Sequence, residues 1–229
     1  MTQLLIDFKE IDYPSFASFL GSKNQELLLL LRSDHTPLLL IWGPDGSGKS
    51  HLLRAWVGKH LNREGGAIFI SADEATKIEK AIEKKVRYIA IDDIQNFDEN
   101  GQQSLFHLFN EVQEKGQHLL ISAQAPPKQL TYLRSDLQTR LSVCLVYELL
   151  SLSEEEKMEA MHQFIASRQS QVPQEVLNYL LSHSARNLNF LLNTLPKYYI
   201  HSHYCTLHLL FSLPTIFIHF FLYWSNFLC

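Results

Sequence analysis

Gly43, Gly48, Lys49 and Ser50 stand in the spacing G-x-x-x-x-G-K-[ST], with Gly46 as a further glycine between them. This pattern suits the grip of a polyphosphate. A backbone that wraps phosphate oxygens closely must turn its N–H groups inward, through dihedral angles that glycine reaches without a Cβ in the way. Lys49 would meet the β- and γ-phosphates and Ser50 would hold Mg²⁺, while the helix that starts there, KSHLLRAWVGKHL, turns its positive dipole end to the anion. The chain has nine glycines and places three of them within these six positions. Alone, such a run could be a plain turn, but an apolar strand-like run precedes it and a helical pattern follows, as a phosphate loop requires.

A second element should supply the metal's carboxylate. YIAIDDIQ, residues 88–95, reads as a buried strand ending in two acids, the place where a parallel sheet presents its ligands. Asp92 would hold Mg²⁺ directly or through water, and Asp93 would orient or deprotonate the attacking water. A strand capped by solvated acids is the plain alternative, and the phosphate loop upstream argues against it.

These residues need a scaffold. The apolar runs PLLLIWG, AIFISA, YIAIDD, HLLISA and CLVYEL alternate with the helical patterns DEATKIEKAIEKK and QQSLFHLFNEVQEKG, which predicts an α/β fold with a parallel five-stranded sheet covered on both faces. After Leu150 the pattern turns helical. SLSEEEKMEAMHQFIASRQ opens with a capping box, Ser153 to Glu156, and PQEVLNYLLSHS and ARNLNFLLNTL follow. We therefore expect an α/β domain over 13–150 and a small helical domain over 151–196.

Composition narrows the function classes. A hydrophobic share of 46%, a charged share of 19% and a net charge of −4 fit a soluble globular protein with no overall basic field for nucleic acid. The amino terminus, MTQLLIDFKEIDYPS, has acids where a signal peptide would have a basic start, so a cytoplasmic protein is expected. Cys144, Cys205 and Cys229 lack paired spacing, and neither disulfides nor a zinc cluster are expected.

With these residues assembled, the chain resembles the AAA+ ATPases, and within them the family of the bacterial replication initiator DnaA and its short regulatory homologues. FASFLGSKNQELLLLL resembles the segment that cups adenine, GPDGSGKSHLL and IDDIQ its two nucleotide motifs, and LLISAQAPPKQL its sensor 1 strand. The resemblance implies an AAA+ phosphate-loop domain followed by a helical lid, with ADP or ATP and Mg²⁺ as cofactors. SDLQTRL resembles the segment ending in an arginine finger, which would make Arg140 that finger. ARNLNFLLNTL resembles the helix of the sensor 2 arginine, which would make Arg186 that residue. Gln124 falls at sensor 1, where the family commonly has an acid or asparagine. Asp93 stands where most AAA+ enzymes have glutamate, although the initiator also shows two aspartates.

No helix-turn-helix DNA-binding domain is evident, and QLLIDF, residues 3–8, resembles the motif by which the short regulators dock on the replication sliding clamp. Leu4, Ile6 and Phe8 would enter an apolar pocket while the Gln3 amide bonds at its edge, making 1–12 an extended clamp-binding tail. The implied partners are DnaA and the DNA polymerase III sliding clamp (β subunit), with DNA reached only through the clamp. The implied role is activation of DnaA's ATP hydrolysis in trans rather than efficient turnover of its own. A self-standing DnaA-like or helicase-loader ATPase is the rival, and a plain clamp-bound adaptor the third reading.

Residues 197–229 depart from the family pattern, since Lys197 is their only charged residue. A membrane span and a packed lid helix are both conceivable, but Pro214, His208, His219 and scattered hydroxyls weaken the span, and no membrane partner is expected. An altered reading frame or terminus is the preferred reading. His201, His203 and His208 lack the acid or paired cysteine that a metal site would need.

Overall fold

The computed structural model describes residues 13–33, 37–167 and 172–183. Gln3, Leu4, Ile6, Phe8, Arg186 and the segment 197–229 lie outside them. The chain divides into two compact units, Met1–Glu156 and Lys157–Cys229.

In the first unit the elements run α1 (Gln25–Arg32), β1 (Leu38–Trp42), α2 (Lys49–His60), β2 (Ala67–Ile70), α3 (Lys77–Glu83), β3 (Tyr88–Ile91), α4 (Glu99–Lys115), β4 (His118–Ala123), α5 (Ser135–Leu141) and β5 (Leu145–Glu148). The five predicted runs are the five strands, in the order β2-β3-β4-β1-β5, with every pairing parallel. Because β1 lies between β4 and β5, the chain must cross two strands to reach β2. That reversal of winding opens a crevice outside the carboxyl ends of β1 and β4.

Strand alternation assigns each side chain to a layer. Leu40, Ile89, Ile91, Leu119 and Ile121 point to one face, where they pack with Ile78 of α3, Leu105, Leu108 and Phe109 of α4, and Leu137 of α5. Leu39, Ile41, Tyr88, Ala90 and Leu120 point to the other, against Leu27 and Leu31 of α1 and Leu52, Trp56 and Val57 of α2. The continuous apolar runs of β1, β3 and β4 are thus explained, because both faces of these central strands are dry, whereas the edge strand β5 is largely exposed.

Local signals set the ends of the helices. Asp98 caps α4, accepting from the Gly101 N–H at 2.7 Å, and Gly116 closes it in the left-handed region at φ 63°. The predicted capping box is present in both directions: Glu156 N donates to Ser153 Oγ at 3.2 Å, and Ser153 N donates to Glu156 Oε2 at 2.9 Å. The other Glu156 oxygen accepts from Ser22 N at 2.7 Å and Ser22 Oγ at 2.8 Å, which ties this turn to the segment before α1. The expected boundary at Leu150 lies a few residues before the division between units.

The first residues of α6 (Glu154–Ser167) belong to the first unit and the rest to the second, where α7 (Gln174–His183) follows. Met161 and Ile165 of α6 and Leu177 of α7 form a small separate core. No helix among the described residues is long and apolar enough to cross a membrane.

Phe109 is fully buried in the layer that α4 shares with the sheet. Phe109→Ala is expected to lower stability by about 3–5 kcal/mol, through lost transfer energy and the cavity left behind. Urea unfolding of the two proteins measures the difference.

Candidate functional site

The loop 43–48 leaves β1 from inside the sheet. Gly43 N donates to Ala123 O at 3.2 Å and Leu149 N to Trp42 O at 2.7 Å, so both neighbouring strands fix its point of departure. Each glycine answers a separate constraint. A Cβ on Gly43 would sit 2.6 Å from the Leu149 carbonyl oxygen, which is main chain and cannot move aside. Gly46 and Gly48 have φ of 75° and 101°, and a Cβ on Gly48 would also meet the Phe19 ring at 2.8 Å. Ser47 Oγ is buried without a hydrogen-bond partner, a polar atom that the fold places in the cradle and leaves unused.

Lys49 opens α2 and is only 5% exposed. Its ammonium donates to the carbonyls of Gly43 at 2.9 Å and Pro44 at 3.1 Å. A cation drawn inside a loop of glycines, at the positive end of a helix, fits a bound polyphosphate.

The acids stand where β3 ends. Asp92 is buried and accepts a hydrogen bond from Ser122 Oγ on β4. The Ser50 hydroxyl bonds the same carboxylate, so the structure brings Ser50 and Asp92 together. Burial dominates the Asp92 pKa and raises it; Ser122, Ser50 and, more weakly, Arg54 pull it down, while the neighbouring Asp93 charge raises it. Asp93 sits in the left-handed region at φ 51°, a conformation that costs an aspartate about 1 kcal/mol or more. Its N–H donates to the same Ser122 Oγ at 2.8 Å. Ser122 therefore holds both acids at once.

The network continues beyond them. Gln95 Nε2 donates to Asp93 Oδ1 at 2.9 Å, and Gln95 Oε1 accepts from Gln124 N at 3.2 Å. Gln124 Nε2 in turn donates to Asp45 Oδ1 at 3.1 Å, back in the phosphate loop. Ser122, Gln95 and Asp45 were not singled out in the sequence as site residues. Ser122 carried one signal, as a polar residue inside an apolar strand run, and Gln95 stood next to the two acids.

The opposite side of the loop is aromatic. Phe19 lies against Gly48, and its ring centroid is 5.8 Å from that of His51 on α2. Burial lowers the His51 pKa, partly opposed by a hydrogen bond with the Ser15 backbone. Asn24 holds this segment in place, donating to Leu150 O at 2.9 Å and accepting from Leu150 N at 3.0 Å. The site thus has an aromatic end and an acidic end, with the glycine loop between.

Arg140 is outside this set. It projects from α5 onto α4, donating to Gln113 Oε1 at 3.1 Å with its guanidinium 5.7 Å from the Phe106 ring centroid. At 1.5 Å per residue, Gln113 lies roughly 21 Å along α4 from the end that follows the two acids.

The donor set also fits a hard cation. Ser50 and Asp92 supply one hydroxyl and one carboxylate, and among the described residues no group of three or more histidine, cysteine or acidic side chains could hold a metal. Magnesium retains several waters and shares phosphate oxygens, so it would enter here together with a nucleotide. The buried acid also carries a stability signature. Because its folded pKa is raised, ionised Asp92 opposes folding in full above that raised value, and the penalty fades as pH falls through it and is gone below the ordinary carboxylate pKa of the unfolded chain. Asp92→Asn should raise the melting temperature of the nucleotide-free protein at pH 7, with the gain vanishing towards pH 3, as paired thermal melts would show.

Comparison with known proteins agrees with this geometry. Residues 31–148 match the bacterial DnaA ATPase domain. An uncharacterized protein of Haemophilus influenzae is 32% identical over 203 residues, covering 84% of this chain and 88% of its own. Domain III of the replication initiation protein DnaA from Thermotoga maritima superposes with a TM-score of 0.73 at 24% identity, covering 84% of this chain and 90% of that one. AMPPCP-bound DnaA from Aquifex aeolicus superposes with a TM-score of 0.62 at 21% identity, covering 80% and 64%. At such identities the two structures speak for the fold, and the sequence matches carry the family: this chain belongs to the bacterial DnaA ATPase-domain family of AAA+ proteins.

Proposed function

We propose that this chain is an Hda-like negative regulator of replication initiation. With ADP or ATP and Mg²⁺ in its own site, it docks on the DNA-loaded sliding clamp through Gln3, Leu4, Ile6 and Phe8. It then presents Arg140 to ATP held by DnaA. Hydrolysis of that ATP returns the initiator to its inactive ADP form and prevents a second round of initiation. The protein works in the cytoplasm and reaches DNA only through the clamp.

The observation that carries this reading is the placement of Arg140. A guanidinium held along α4, apart from the glycine loop of its own chain, is suited to a neighbouring molecule's γ-phosphate, where it neutralises charge developing in the transition state. Lys49 would neutralise phosphate in the chain's own site, Ser50 and Asp92 would share the metal, and Phe19 offers a face for the base. AMPPCP binding by the Aquifex aeolicus DnaA supports an adenine nucleotide here. Arg186 would report that nucleotide from the lid.

One observation favours a second reading, a self-standing DnaA-like or helicase-loader ATPase. Asp93 is oriented by Ser122 and Gln95, as a residue that positions water for hydrolysis in its own site would be.

Hydrolysis of ATP pre-bound to DnaA, with clamp loaded on DNA, separates the two. The regulator accelerates it only when clamp is present, and Arg140→Ala loses that acceleration by a factor on the order of a hundred or more while still binding clamp. Failure of Arg140→Ala to reduce stimulation would remove the finger assignment. Steady ATP turnover by the isolated chain, without effect on DnaA and abolished by Lys49→Ala, would establish the second reading instead.

A further inference from the structure

We propose that Asp45, held by Gln124, sets the preference of this site for a nucleoside diphosphate over a triphosphate. The inference rests on the nucleotide-site reading above and adds its specificity determinant.

The argument begins with the polarity of the site. Phe19 packs on Gly48 beside His51, which gives the purine its aromatic surface at one end of the loop. Ser50 and Asp92 meet at the other, where the metal would bridge phosphate oxygens. A phosphate chain laid from the first end to the second finishes beside the carboxyl ends of β3 and β4, and each added phosphate carries charge further towards Asp93 and Gln124.

Asp45 is directed to this same end. It is part of the loop, yet its side chain is drawn to the end of β4, with its two oxygens 3.1 and 3.4 Å from Gln124 Nε2. Gln124 is itself fixed through its main-chain N–H by Gln95, whose other end holds Asp93. The carboxylate is thus tethered through a glutamine whose own position is tied to the acids, instead of turning freely to solvent. A diphosphate ends short of it. A triphosphate brings its most highly charged group towards a fixed negative charge.

The identity of residue 124 belongs to the same device. An acid there would repel Asp45 and free it to leave the loop's edge, whereas a neutral amide donates to it. The amide at this position thus has a physical use that does not involve positioning water, which is to hold Asp45 at the loop's edge.

Titration calorimetry on the full chain with Mg²⁺, using ADP and the non-hydrolysable AMPPCP, tests the idea without relying on turnover. The wild-type chain should bind ADP more tightly. Asp45→Asn keeps an oxygen that accepts from Gln124 and removes only the charge, and should narrow the AMPPCP-to-ADP ratio of dissociation constants by about three- to tenfold, as expected for charges a few ångströms apart near water. Gln124→Ala, which releases the carboxylate, should narrow it in the same direction. Both side chains are exposed, and thermal melts will show that the variants fold.

Equal wild-type affinities, or an unchanged ratio in Asp45→Asn, would overturn the proposal. Equal weakening of both ligands would also overturn it, since that is what a merely structural role predicts. Binding of neither nucleotide by the folded wild-type chain would remove the nucleotide-site reading itself, and this inference with it.

Discussion

Two carboxylates side by side at the end of a buried strand repel each other and resist dehydration, and the whole site depends on how that is relieved. Ser122 relieves much of it. Its hydroxyl donates to Asp92 and accepts from the N–H of Asp93, which sits in the left-handed region. This requires β4 to lie beside β3 in fixed register, and the register in turn depends on the dry layers above and below the sheet. Packing on α4 and α2 is therefore a condition of the chemistry, not a background to it.

The same sheet order explains the glycines. Since β1 lies between β4 and β5, the loop that leaves it passes directly over main chain that continues β5, and Gly43 faces the Leu149 carbonyl with no room for a side chain. Gly48 is confined instead by Phe19, from the segment before α1. One motif thus records two tertiary contacts, with a neighbouring strand and with the aromatic end of the site. A phosphate loop is often treated as a local device, yet here two of its glycines are required by distant parts of the chain.

How much of this could be read beforehand follows from range. Strand runs, the capping box at Ser153 and the spacing of Gly43, Lys49 and Ser50 are encoded in neighbouring residues, and all were legible. The meeting of Ser50 with Asp92 could be expected because both motifs belong to one kind of site. The roles of Ser122, Gln95 and Asp45 were not legible, even though Ser122 stood out as a polar residue in an apolar run, because they arise from pairings across 29 or more positions whose partners have no fixed spacing. Arg140 was legible as a residue but not in its setting. Only the packing of α5 on α4 reveals that its guanidinium rests on Phe106 and Gln113.

That setting separates Arg140 from the glycine loop and the acids. The loop, Lys49 and the acids are linked by hydrogen bonds around one end of the sheet. Among the described residues Arg140 donates to Gln113, outside that network, and is supported by this glutamine and an aromatic ring on the exposed side of a long helix. An arginine whose task was to neutralise the chain's own nucleotide would gain from being wired into that network, since strong electrostatic stabilisation requires a donor fixed before the charge develops. One held on a separate helix face has its geometry set instead by whatever molecule docks there. The physical division between a tightly coupled nucleotide site and an independently mounted arginine is what a regulator acting on another protein's ATP would use, because its own nucleotide state can be retained while its arginine is offered elsewhere.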